Sequence, residues 1–147
     1  MVKSKNYNFS KKSFLILIGA GISQKFCVEK AHKMGLNTIA VDRNINTKIL
    51  KYCDVPLEID FVKNEKKVLD WLELNNIKLI GVMSYCNESG MKLAAKIREK
   101  YNLQGMNFKT TNIMSQKHLQ RKILTKANLP CPKWKVLKSN YTKKDIL

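Results

Sequence analysis

Residues 14–24 read Phe14-Leu-Ile-Leu-Ile-Gly19-Ala-Gly21-Ile-Ser-Gln24, and this stretch decides the fold class. Five consecutive β-prone apolar residues, Phe14 to Ile18, suit a strand covered on both faces, as in a parallel sheet. Gly19-Ala20-Gly21 ends the run, where glycine lets the backbone approach a ligand and adopt positive φ. From Ile22 to Met34, the side chains of Ile22, Phe26, Ala31 and Met34 fall roughly on one helical face, and Gly35 supplies the stop. A helix that begins beyond a glycine turn points its free N–H groups and positive dipole end at whatever lies over the turn, which favours phosphate or carboxylate.

Working outward, Asn37 to Asp42 reads as a second strand, and 44–53 as a short helix. Val55 to Ile59 reads as a short strand. Asn64 caps a helix that uses Val68, Leu69 and Leu72 and runs to about Asn75. Lys78 to Met83 is a further apolar strand, and Asn87 to Tyr101 a helix with Ala94, Ile97 and Tyr101 on one face. Strands alternating with helices predict an α/β fold, a Rossmann-like open parallel sheet with right-handed crossovers and helices on both faces. Beyond Asn107 the pattern changes. Residues 111–128 predict a lysine-rich amphipathic helix with Ile113, Leu119, Ile123, Leu124 and Ala127 as candidate core contacts. Leu129-Pro-Cys-Pro132 breaks it, and Lys133 to Leu137 begins a strand.

The 147 residues suit one domain plus a piece of a second. An apolar content of 44% supports a core, and 27% charged residues is ordinary for a globular protein. No apolar run approaches the roughly 18–20 residues needed to span a bilayer. Residues 1–12 read as a basic flexible arm with no apolar signal segment behind it, so the expected location is the cytoplasm, away from membranes. Cys27, Cys53, Cys86 and Cys131 share no metal-ligand spacing, and His32 and His118 stand far apart. Both histidines are expected on helix surfaces, and the thiols are expected to be reduced and to serve as small apolar side chains.

The formal charge of +17 raises nucleic-acid binding, since basic surfaces gain affinity by releasing counterions from phosphates. Lysine is spread along the whole chain, however, and aromatic residues are not interleaved with it as a stacking platform requires. A basic nucleic-acid-binding protein therefore stays the second alternative, and nucleic acid is not the expected partner.

Two places have the geometry of a ligand site. At the first, Gly19, Ala20 and Gly21 form the turn, and Asp42 ends the second strand 21 residues beyond Gly21. A dinucleotide-binding fold puts an acid there to grip a ribose hydroxyl. The third glycine of that fingerprint is replaced by Gln24, so an NAD(P)- or nucleotide-binding Rossmann domain is the first alternative. At the second, Ser84-Tyr-Cys-Asn87-Glu88 follows the strand ending at Met83, at the sheet edge where open α/β folds bind ligands. Asn87 also suits a helix cap, with Glu88 complementing the dipole. There is no GxSxG, no P-loop and no paired carboxylates placed for Mg²⁺. No residue is assigned a catalytic or metal-binding role.

Four segments together resemble the front of the ATP-grasp superfamily, which includes carbamoyl-phosphate synthase large chains, biotin carboxylases and purine-pathway ligases. They are Ile16-Leu-Ile-Gly-Ala-Gly21; Ala40-Val-Asp42 with Tyr52-Cys-Asp54 and Ile59-Asp60; Ile80-Gly-Val-Met83 leading into Asn87-Glu88; and Ser115-Gln-Lys117 with Arg121-Lys-Ile-Leu and Ala127-Asn-Leu-Pro-Cys-Pro132. The last is the most specific, resembling the entry to the family's ATP-binding domain. The resemblance covers about residues 13–138 and implies that residues 13–108 are a pre-ATP-grasp domain. Residues 109–147 are then the incomplete beginning of an ATP-grasp domain, a helix and a strand. It further implies a parent ligase that uses ATP and Mg²⁺ to activate a carboxylate as an acyl phosphate for attack by an amine, and a homodimer is compatible with it. Lys117 takes the position of the family lysine that approaches the ATP phosphates. Gln116 replaces the family's preceding acid, and Asn128 its glycine. The family's second ATP-binding lysine, phosphate loop and Glu/Asn metal ligands lie farther along than this sequence reaches. The chain alone is therefore expected to bind part of a substrate or nucleotide without catalysis, and to hold no cofactor tightly.

Overall fold

A computed structural model describes residues 9, 12–44, 46–137 and 140–142. The chain divides into two compact units, Met1–Thr111 and Asn112–Leu147.

The first unit is built on four strands: β1 (Phe14–Ile18), β2 (Asn37–Asp42), β3 (Val55–Glu58) and β4 (Leu79–Met83). They lie in the order β3-β2-β1-β4, and every pairing is parallel. β1 runs beside β2 from Phe14 opposite Asn37 to Ile18 opposite Val41. On its other side, Leu15 to Leu17 lie opposite Gly81 to Met83 of β4. The order reverses between β1 and β4, so the loops after these two strands diverge and leave room at the carboxyl edge.

Two helices cross between strands, α1 (Lys25–Lys33) from β1 to β2 and α2 (Glu65–Leu74) from β3 to β4, and α3 (Glu88–Lys100) follows β4. Alternate side chains of a strand point to opposite faces. Phe14, Ile16 and Ile18 accordingly share a core with Val68 and Leu72 of α2 and with Leu93, Ala94 and Ile97 of α3. Leu15 and Leu17 face the other way, toward Cys27 and Val28 of α1, Ile49 and Cys53. The sheet is thus parallel and flanked by helices on both sides. Among the described residues, no helix is long and apolar enough to cross a membrane.

Several sequence expectations are corrected. The first crossover opens with a 3-10 turn at Ile22–Gln24 before α1 begins. Its buried face consists of Gln24, Cys27, Val28 and Ala31, whereas Ile22, Phe26 and Met34 are 66%, 52% and 63% exposed. Positions 24, 27, 28 and 31 form the tighter i, i+3, i+4, i+7 stripe, and burial follows it although it begins with a polar residue. Phe9 falls within the expected flexible arm, yet its ring packs against Phe14 and Trp71 at centroid distances of 5.7 and 5.8 Å. The rest of the arm, apart from Lys12, lies outside the described residues.

The helix expected over 111–128 is two helices, α4 (Phe108–Met114) and α5 (Lys117–Lys126). Gln116 interrupts them with extended backbone, and its side-chain amide turns back to Asn112 Oδ1 at 2.9 Å. A residue that hydrogen-bonds locally in this way competes with the helical ladder. None of the residues of α5 is fully buried, so the expected core contacts Leu119, Ile123 and Leu124 are not core. The expected strand at Lys133–Leu137 is not formed either. A strand exists only by pairing, and the described part of this unit offers a helix and an extended tail, with no neighbouring strand.

Candidate functional site

The loop after β1 turns at Gly19, whose φ of 93° lies in the left-handed region. A Cβ at this position would stand 2.4 Å from Asn87 Nδ2 and 2.9 Å from Gln24 Nε2, so only glycine fits. Gly21 differs, with an ordinary φ of −66° and room for a Cβ, which would stand 3.8 Å from Ser23 Oγ. The expectation of glycine-dependent backbone therefore holds at Gly19 and not at Gly21.

Gln24, read from the sequence as a departure from a glycine fingerprint, is 1% exposed. Its Nε2 donates to the Gly19 carbonyl at 2.8 Å and clamps the turn from beneath, while its Oε1 is buried without a partner among the described residues. Asp42 is also drawn into the loop. Its Oδ2 accepts the Ala20 N–H at 2.8 Å, and its Oδ1 accepts the Asn44 N–H at 3.0 Å.

Asn87 stands across the switch point. Its Oδ1 accepts the Gly90 N–H at 3.3 Å and the Ser89 hydroxyl at 2.7 Å, capping α3. Its Nδ2 donates to the Ile18 carbonyl at 3.3 Å, at the end of β1. One side chain thus starts a helix and ties it to the neighbouring strand. Gly90 allows this approach, because a Cβ there would fall 2.5 Å from Ser84 Oγ and 2.8 Å from Ile18 Cγ2.

Beside these residues, at the carboxyl ends of β2 and β3, lies a cavity of about 330 Å³ lined by Asp42, Arg43, Asp60, Phe61, Val62, Asn87 and Ser89. The volume falls at the lower end of the range typical of small-molecule sites. Of the residues singled out in the sequence, Asp42 and Asn87 line it. Gly19 and Ala20 stand behind it through their contacts with Asn87 and Asp42. Glu88 is exposed on the first turn of α3 and does not line it. Arg43, Asp60 and Ser89 were not assigned to the site from the sequence. Asp60 follows β3 as Asp42 closes β2, so the rule that drew attention to Asp42 also reaches Asp60. Asp60 Oδ1 accepts the N–H groups of Val62 and Lys63 at 3.2 and 3.3 Å.

The opposite edge of the sheet carries a separate polar cluster. Asp54 Oδ2 accepts the Thr38 N–H at 2.7 Å and the Thr38 hydroxyl at 3.0 Å, and lies 2.8 Å from His32 Nε2. Burial pushes the Asp54 carboxyl upward, but the Thr38 N–H, His32 and the Thr38 hydroxyl together bring it below its ordinary value. This cluster pins α1 and β3 to the start of β2 and is far along the strands from the cavity.

In the second unit, Lys117, His118, Arg121, Trp134, Lys135 and Val136 line a cleft of about 300 Å³. Between Glu99 and Asp145 the sequence has no Asp or Glu, so the cleft has no neighbouring carboxylate within its own described unit. Among the described residues, no group of three His, Cys, Asp or Glu side chains is placed to hold a metal ion.

No family model and no curated protein matches the sequence. Solved structures do match the fold. Phosphoribosylglycinamide synthetase from Anaerococcus prevotii superposes with a TM-score of 0.68 at 27% identity, over 80% of this chain and 29% of that one. The L-amino acid ligase from Bacillus licheniformis gives 0.67 at 21% identity, over 82% and 32%. N5-carboxyaminoimidazole ribonucleotide synthetase from Thermotoga maritima gives 0.64 at 20% identity, over 90% and 35%. The chain therefore spans about a third of the length of these structures, and it shares their fold over that part. Structural similarity to several ATP-grasp superfamily ligases is thereby established.

Proposed function

We propose that the chain is the substrate-side part of an ATP-dependent ligase that joins a carboxylate to an amine. In this reading residues 13–108 are the pre-ATP-grasp domain and residues 109–147 begin the ATP-grasp domain. The carrying observation is the cavity at the carboxyl edge, lined by Asp42 and Asn87 beside the switch point of a parallel sheet that ATP-grasp ligases share. In this reading Gly19, Ala20 and Gly21 shape the loop behind the cavity, and Glu88, on the first turn of α3, is assigned to the same substrate side.

Lys117, His118 and Arg121 fit the phosphates of ATP. They present cations around one cleft at the start of α5, in a segment free of acids. When bound, ATP supplies the phosphoryl group that activates a carboxylate. The Lys117 cleft does not fit Mg²⁺, because no carboxylate lines it and, among the described residues, no group of three His, Cys, Asp or Glu side chains is placed to hold a metal ion. Metal ligands and the remaining phosphate-binding groups are accordingly assigned to the part of a ligase that lies outside these residues. The chain by itself then binds without turning over.

Calorimetric titration tests the reading. Weak ATP binding that disappears in Lys117→Ala supports it. Saturable micromolar binding of NADH overturns it in favour of a dinucleotide-binding Rossmann domain.

A further inference from the structure

The cavity at the carboxyl edge carries charge of both signs, kept apart. Asp42 and Asp60 contribute carboxylates and Arg43 a guanidinium to the same 330 Å³ space. Arg43 forms no ion pair with either acid, and no hydrogen bond or ion pair with any described residue. Its five N–H donors are therefore available to a ligand. The carboxylates also retain capacity. Each has about four lone-pair positions, and the loop N–H groups take one on each oxygen of Asp42 and two on Asp60 Oδ1. The chain has only 11 acidic residues against 28 cations, yet two acids and one cation face this cavity. The site is thus locally negative within a strongly positive protein, with one cation set among the acids.

A purely anionic ligand meets two like charges here, and a purely cationic one meets Arg43. A small ligand with a cationic and an anionic end satisfies both. Resting on the ligase reading, we propose that this cavity takes a free α-amino acid as its zwitterion, the carboxylate toward Arg43 and the ammonium toward Asp60 and Asp42. Phe61 and Val62, also in the lining, bound the space left for a small side chain.

Ligand-observed NMR or calorimetry with the full chain tests this with three probes: L-alanine, L-alaninamide and N-acetyl-L-alanine. The amide keeps only the cation, and the acetyl derivative keeps only the anion. L-Alanine is expected to bind at least about tenfold tighter than either, since each blocked form leaves one charge of the site unanswered. Arg43→Gln is expected to lower alanine binding to the level of alaninamide. Asp60→Asn is expected to lower it to the level of N-acetylalanine. Asparagine at position 60 can still accept the Val62 and Lys63 N–H groups, so the turn survives the change. Equal binding of a blocked derivative, indifference of alanine binding to both substitutions, or no alanine binding at about 20 mM overturns the proposal. NADH titration of the same sample separates the two failures. Loss of the amino-acid preference without NADH binding sinks this inference alone, whereas micromolar NADH binding sinks the ligase reading with it.

Discussion

The carboxylate of Asp42 accepts the backbone N–H of Ala20 at 2.8 Å, binding the end of β2 to the loop that follows β1. This contact settles the shape of the carboxyl edge, because the same side chain also lines the cavity.

Asp42→Ala leaves the Ala20 N–H without its acceptor in a partly buried place. A loss of about 1–3 kcal/mol in unfolding free energy is expected. Urea denaturation measures the loss, and amide exchange at Ala20 reports its origin. Unchanged protection of that amide would show that another group holds the loop.

The two glycines of the first turn are expected to behave differently. Gly19→Ala meets both a positive φ and the Asn87 amide, and costs about 1–3 kcal/mol or more. Gly21→Ala has an ordinary φ and only an ordinary contact with Ser23 Oγ, so its effect stays within about 0.5 kcal/mol. Equal midpoints for the two variants in urea would contradict the geometry.

Asp54 gives the fold an acid-sensitive point at the other sheet edge. Its folded-state pKa lies below the unfolded value, so its contribution is present above about pH 4 and fades as pH falls through the lower folded value. From the hydrogen bonds involved, Asp54→Asn is expected to cost about 1–2 kcal/mol at neutral pH. The difference between parent and variant narrows in acid. A gap that persists unchanged at pH 2 in thermal melts would rule out the carboxylate as its source.

The four thiols are expected to separate by reactivity. Burial pushes Cys53 up to about 11 and raises Cys27 as well. At pH 8 about a thousandth of Cys53 is thiolate, in a site that reagents do not reach. Cys86 is exposed and Cys131 half-buried. Iodoacetamide followed by peptide mass mapping should mark Cys86 first and Cys131 next, with Cys27 and Cys53 protected until the chain unfolds. Early labelling of Cys53 would be the contrary result.

Much of the first unit was legible in the sequence. Continuous apolar runs located β1, β2 and β4 to within a residue, and Asn87 was recognisable as a helix cap. The buried face of α1 was not legible, because its stripe begins with Gln24 and hydropathy alone favours Ile22, Phe26 and Met34. The cavity was only half visible. Asp42 stood out by its spacing from Gly21, whereas Arg43, Asp60 and Ser89 become neighbours only once parallel strands end and α3 begins at one edge.

The order of apolar runs and glycines by itself determined an alternating α/β chain, since each run is locally committed to its period and each turn residue to its backbone conformation. Which side chains meet at the carboxyl edge was decided only by the tertiary structure. The order β3-β2-β1-β4 brings residues 42, 60 and 87 together, and no local preference specifies contacts across such separations. Pairing explains the strand missing at Lys133–Leu137 too: a sequence can favour extended backbone, but hydrogen bonds to a neighbour are what make it a strand.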